Sequence, residues 1–112
     1  MVVDLHAHST ASDGSQTPSA LVEMAVSRGL STLALTDHDT LEGVEEARIA
    51  AEGTGVELIP GTELSLDHHG GMHLIVLWLE PGDGPLQSRL ATLQTGRNQR
   101  NAEIVALLVG LG

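Results

Sequence analysis

The sequence has 112 residues, with 15 acidic and 5 basic side chains, no Lys and a formal charge of -10, which disfavours nucleic acid as a partner because no basic stretch can follow a phosphate backbone. That length allows at most one small domain, and the absence of Cys excludes disulfides and thiolate ligands. No apolar run approaches the roughly 20 residues of a membrane span, and the opening Met1-Val2-Val3-Asp4 lacks the charged and apolar regions of a leader, so the expectation is a cytoplasmic protein without membrane contact.

Val2 to Leu5 is a short apolar run that reads as a buried strand, and Ala7 to Gly14 reads as a loop. The first helix follows. Thr17 suits its cap and Pro18 its first turn, Leu21, Val22, Ala25 and Val26 supply an apolar face, and Gly29 marks its end. Thr32 to Leu35 is a second strand. Asp39 and Glu42 have capping-box spacing, which predicts a helix from there through Ala51, ending at Gly53 or Gly55. Val56 to Ile59 is a third strand. Alternating strands and helices of these lengths predict βαβ units and a parallel sheet, in which functional groups gather at the C-terminal ends of the strands.

Glu63 to Leu66, a turn over His68-His69-Gly70-Gly71, and His73 to Leu79 predict a hairpin. Beyond Pro85 the spacing of Leu86, Leu90, Leu93, Arg97, Arg100, Ile104, Leu107 and Leu111 alternates between four and three residues, a helical stripe with two arginines in it. Gly96 is a candidate break in that helix.

His6 and His8 are two apart at a strand end, and the period of two sends both imidazoles to one side, as a shared metal requires. Asp4 lies on the same face, either orienting an imidazole or solvated. Asp13 in Ser12-Asp13-Gly14 is a turn former or a ligand. Thr36-Asp37-His38-Asp39 places an imidazole between two carboxylates at the end of the second strand. Asp39 has an account as a helix cap and is set aside as a ligand, His38 has none, and Asp37 stands between a supporting role and solvent. Glu63, just beyond the third strand, points to the same rim and reads as a bridging ligand. His73 reads as a ligand folded back over Glu63 or as packing, and His68 and His69 as exposed turn residues. Imidazoles and carboxylates after three successive strands point to one convergent metal site. Nitrogen and oxygen donors without sulfur suit Mn²⁺, Zn²⁺ or Fe²⁺.

Together, Asp4-Leu5-His6-Ala7-His8-Ser9, Ser12-Asp13-Gly14, Thr36-Asp37-His38-Asp39, Gly43 and Pro60-Gly61-Thr62-Glu63-Leu64-Ser65 resemble the polymerase and histidinol phosphatase (PHP) family, with the later helix similar to the start of the insertion in its nucleotide phosphatase branch. The resemblance implies an α/β fold, the N-terminal portion of a distorted (β/α)7 barrel with a hairpin after the third strand and a C-terminal helical segment. Its organisation would be 1–80 as the N-terminal part of the barrel and 81–112 as the start of a truncated helical insertion. It further implies up to three divalent ions in the intact domain: His6, His8 and Glu63 on one, Glu63 and His73 on a second, Asp13 and His38 on a third.

The family's later motifs are absent, so the expectation is a fragment or truncated product whose open sheet edge a complementary chain would cover. The implied activity is hydrolysis of a phosphomonoester, on a small metabolite or nucleotide, by a metal-activated water. No side chain is assigned as catalytic. His38 is a ligand or an acid, and the two roles conflict. Arg97 and Arg100, one helical turn apart, either grip a substrate phosphate or are solvated. The competing readings are a non-catalytic metal-binding or structural module, and a metal-dependent amide or amine hydrolase.

Overall fold

The structure, a computed structural model, describes residues 1–66, 71–82 and 84–111. The chain divides into two compact units, Met1–Pro81 and Gly82–Gly112. In the first, β1 (Val3–Ala7), α1 (Pro18–Ser27), β2 (Thr32–Leu35), α2 (Val44–Ala51), β3 (Glu57–Leu66) and β4 (Met72–Leu77) follow in order. They form one four-stranded sheet in the order β1-β2-β3-β4. The pairings β1 with β2 and β2 with β3 are parallel, and β3 with β4 is antiparallel, as expected for the front of a βα barrel carrying a hairpin after its third strand.

The core forms where β2 and β3 meet the two helices. α1 and α2 pack on each other and against β2 and β3, burying Pro18, Val22 and Ala25 from one helix and Val44, Ala47 and Ala51 from the other. Those spacings place each set on one helical stripe. Leu33, Ala34 and Leu35 of β2 are buried beneath them. Thr17 caps α1 as its sequence position predicts, accepting the Ala20 N–H at 3.1 Å.

Four expectations for the first unit need correction. β1 is not buried: Val3 to His6 are exposed and only Ala7 is covered, because among the described residues β1 has β2 alone as a neighbour. Val26, assigned to the buried face of α1, is exposed. The third strand does not stop at Ile59. It runs from Glu57 to Leu66, pairing with β2 through Pro60 and with β4 from Gly61 onward. The capping box at Asp39 does not exist either, since α2 starts at Val44 with Gly43 at the cap position and Asp39 has φ +54°, a left-handed conformation foreign to an N-cap. The turn over His68, His69 and Gly70 lies outside the described residues.

The second unit consists mainly of α3 (Pro85–Leu111), a helix of 27 residues that continues through Gly96, so the glycine does not break it. No helix among the described residues is long and apolar enough to cross a membrane.

Candidate metal centre

The backbone stitches the strand ends together before any side chain enters. Thr36 donates its N–H and its hydroxyl to the Ala7 carbonyl, at 2.8 and 3.2 Å, which aligns the end of β2 with the end of β1. Thr62 Oγ1 and the Glu63 N–H both donate to the Asp37 carbonyl, at 2.7 and 3.0 Å, and the Asp39 N–H returns a bond to the Glu63 carbonyl at 3.1 Å. His38 and Glu63 thus lie side by side in a parallel bridge. Gly61 permits this because a Cβ there would stand 2.6 Å from the Val76 carbonyl oxygen of β4, inside any allowed contact.

On this frame the six residues singled out in sequence converge. His6 and His8 bring their Nε2 atoms to 3.0 Å from each other, as the period of two predicts. Glu63 lies beneath four imidazoles. Its Oε1 is hydrogen-bonded with His6 Nε2 and stands 3.3 Å from His8 Nε2, while its Oε2 lies 3.2 Å from His38 Nδ1 and 3.0 Å from His73 Nδ1. Asp13 lies across the other sides of two of these rings, with Oδ1 3.6 Å from His8 Nδ1 and Oδ2 3.2 Å from His38 Nε2. The rings follow one another, with His8 and His38 stacked at 4.5 Å between centroids and His6 and His73 set edgewise at the two ends.

Three sets of donors are close enough to share an ion: His6, His8 and Glu63; His8, Asp13 and His38; and His38, Glu63 and His73. His8 Nδ1 and His38 Nδ1 are buried without a hydrogen-bond partner. A buried polar atom left unsatisfied costs about 1–3 kcal/mol, and a coordinated cation removes that cost, so the donor set fits divalent metal. Burial works to raise the Glu63 carboxyl pKa, but the hydrogen bond from His6 and the charges of His38, His8 and His6 outweigh it and hold the group below its ordinary value of 4.5. It remains ionised.

The structure decides between the open readings of two carboxylates near the site and overturns the reading of a third. Asp4 does not orient an imidazole; it is exposed and accepts the backbone N–H of His6 at 3.0 Å. Asp37 is 1% exposed and accepts three hydrogen bonds from Ser9 and Ser12, so the solvated alternative fails. Asp39 loses its account as a cap, and it is buried beside the site. No local motif marks Asp37 as an anchor, since its partners are 25 and 28 residues earlier in the chain. Arg97 and Arg100 lie on α3 in the other unit.

Fold and site together define an α/β protein whose nitrogen and oxygen donors gather near the C-terminal ends of the parallel strands and the start of β4, in three adjoining groups able to hold a metal ion. The chain belongs to the PHP family of metal-dependent phosphoesterases: the PHP domain model matches residues 4–97. It is 43% identical over 102 residues to a 5'-3' exoribonuclease of Haemophilus influenzae, covering 90% of this chain and 37% of that protein. It is 35% identical over 111 residues to a 3',5'-nucleoside bisphosphate phosphatase of Chromobacterium violaceum, covering 98% of this chain and 39% of that protein. Among solved structures it superposes with a TM-score of 0.89 and 35% identity on an amidohydrolase from Chromobacterium violaceum with bound sulfate and no metal, over 98% of this chain and 39% of that one. The chain thus spans under two fifths of the length of these relatives.

Proposed function

We propose that this chain is the metal-binding front part of a phosphoesterase that hydrolyses a phosphomonoester of a small metabolite or nucleotide. One observation carries the reading: Glu63 is shared between two donor groups, and His8 and His38 link these to a third. The C. violaceum phosphatase relative supports the substrate class. His6, His8 and Glu63 would hold one ion, Glu63 and His73 a second, Asp13 and His38 a third. Bound divalent cations supply the Lewis acidity and positive charge that this donor set lacks.

The side chains build the setting for that chemistry. Glu63 keeps a negative charge in a place nearly closed to water and presents one oxygen to each of two groups. His6 and His73 close the two ends of the row of rings. For the phosphate itself we assign Arg97 and Arg100, whose planar guanidinium groups suit bidentate contact with phosphoryl oxygens, in a segment we read as the beginning of a helical insertion.

With Mn²⁺ supplied, phosphate release is expected from a panel that includes nucleoside monophosphates and 3',5'-bisphosphates. An inert panel with Mn²⁺, Zn²⁺ and Fe²⁺ alike, from protein that binds the ions, would leave a non-catalytic metal-binding module. Arg97→Ala should lower turnover of a phosphomonoester while leaving metal content intact; unchanged kinetics would remove the grip.

A second reading is favoured by the exoribonucleases of Haemophilus influenzae and Escherichia coli, 43% and 40% identical to this chain: stepwise release of nucleotides from the 5' end of RNA. Incubation with 5'-labelled RNA separates the two. Early release of labelled mononucleotide supports it, and release of inorganic phosphate alone supports the first reading.

A further inference from the structure

Asp37 is not among the donors of the three groups, yet its carboxylate is tied to the loop that delivers one of them. Oδ1 accepts the Ser9 N–H at 2.6 Å and the Ser12 hydroxyl at 2.7 Å, and Oδ2 accepts the Ser9 hydroxyl at 2.6 Å. Asp37 and Ser9 are both fully buried. A carboxylate removed from water is costly unless several donors compensate it, and bonds to a carboxylate are the shorter, stronger kind. Every one of the three donors lies in the segment between β1 and α1.

That segment is closed on itself. Ser12 and Gly14 donate their N–H groups to the Ser9 carbonyl at 3.1 and 2.8 Å, and Thr10 donates to the Gln16 carbonyl at 2.9 Å. Gly14 lies so near the backbone of His8 and Ser9 that a Cβ would collide with the His8 carbonyl. The loop is therefore a compact body with one site residue on it, Asp13, which directly follows Ser12. The Asp13 side chain is two-thirds exposed and its ion-pair contacts are to His8 and His38. Its place is set by what holds the loop down, and Asp37 holds it at both Ser9 and Ser12.

We propose that Asp37 is a positioning residue: it clamps the Ser9–Gly14 loop to the end of β2 and thereby sets Asp13 against His8 and His38. The inference rests on reading these donors as a metal centre and adds a residue that governs one group selectively. Asp37 precedes His38, so the clamp and the ring it serves are fixed to the same strand end. A purely structural role would weaken the fold and all three groups alike. A positioning role spares the group of His6, His8 and Glu63, which holds no residue of the clamped loop beyond His8 at its root.

The test uses the full chain as wild type, Asp37→Asn and Ser12→Ala, the second being a milder change should the first fail to fold. Crystals of each soaked in Mn²⁺ give the anomalous occupancy at each donor group, and hydrogen exchange of the Ser12 and Gly14 amides in metal-free protein reports the loop directly. The expected result is faster exchange in both variants and Mn²⁺ weakened roughly 10- to 100-fold at His8, Asp13 and His38, with the ion at His6, His8 and Glu63 retained. Equal losses at all groups, or no change at any, would overturn the proposal. Wild-type crystals without manganese at any group would overturn the metal-centre reading instead. The clamp would then stand or fall on exchange alone, with unchanged rates in both variants overturning it.

Discussion

The Glu63 carboxylate sits among four imidazoles while almost shut off from water. Its pKa in the fold is depressed: burial works to raise it, but the His6 hydrogen bond and the neighbouring charges prevail. A carboxyl that binds its proton less readily folded than unfolded stabilises the native state above its ordinary value of 4.5, and this contribution is lost as pH falls through the lower, folded value. In metal-free protein the stability gap between wild type and Glu63→Gln should therefore narrow as pH falls from about 5.5 to about 3. Urea unfolding across that range checks it, and a gap that widens toward acid would show the opposite sign. The rest of the site's carboxylates show how far sequence reaches at this scale. His6 and His8 were legible because strand periodicity alone puts them on one side, whereas Asp37 stayed undecided between a supporting role and solvent, because its role depends on hydroxyls brought up from another strand's loop. Asp39 was misjudged on a spacing that fits a cap in isolation and loses to its left-handed backbone and its bond to the Glu63 carbonyl.

Among the elements, α1 and β2 follow from local signals. Thr17 and Pro18 fix where α1 begins, and β2 spans Thr32–Leu35 as its apolar run predicts. Removing the cap with Thr17→Ala should cost about 1 kcal/mol, within a range of about 0.5–2, measurable in urea unfolding. β3 was read as two pieces because Pro60 and Gly61 ordinarily punctuate a strand. Here both are accommodated: Pro60 offers its carbonyl to the Leu79 N–H, and Gly61 gives the close approach to β4. Gly96 was misread as a break for a related reason, a weak local preference outweighed by a long helix. Nothing lies within 4 Å of a Cβ built there, so Gly96→Ala should add helix stability of up to about 1 kcal/mol, seen as a rise in helical ellipticity on titration of a partly unfolded sample. No gain would mean that the helix is interrupted at that point in solution.

The sequence carries a formal charge of -10 with no Lys, a sign that attracts cations and opposes polyanions. Mn²⁺ affinity should accordingly fall several-fold as ionic strength rises from about 0.01 M to about 0.1 M, over which the Debye length contracts from about 30 to about 10 Å. Isothermal titration at the two salts checks it, and an unchanged affinity would confine the attraction to the donors in contact. The fold class was legible at this scale through the alternation of strands and helices, while the exposure of β1 was not, since an apolar strand reads the same whether it has one neighbour or two.

The stacked rings of His8 and His38 set a limit on how the site can fill. A neutral imidazole owns a single lone pair, its second nitrogen bearing hydrogen, and each of these rings turns one nitrogen toward Glu63 and the other toward Asp13. If His8 commits to the side of His6 and His38 to the side of Asp13, their tautomers are fixed and, among the described residues, the Asp13–His38 and Glu63–His73 groups are each left with two donors against three at His6, His8 and Glu63. Loading would therefore be unequal by arithmetic, with one seat of three donors and two seats of two that hold an ion more loosely.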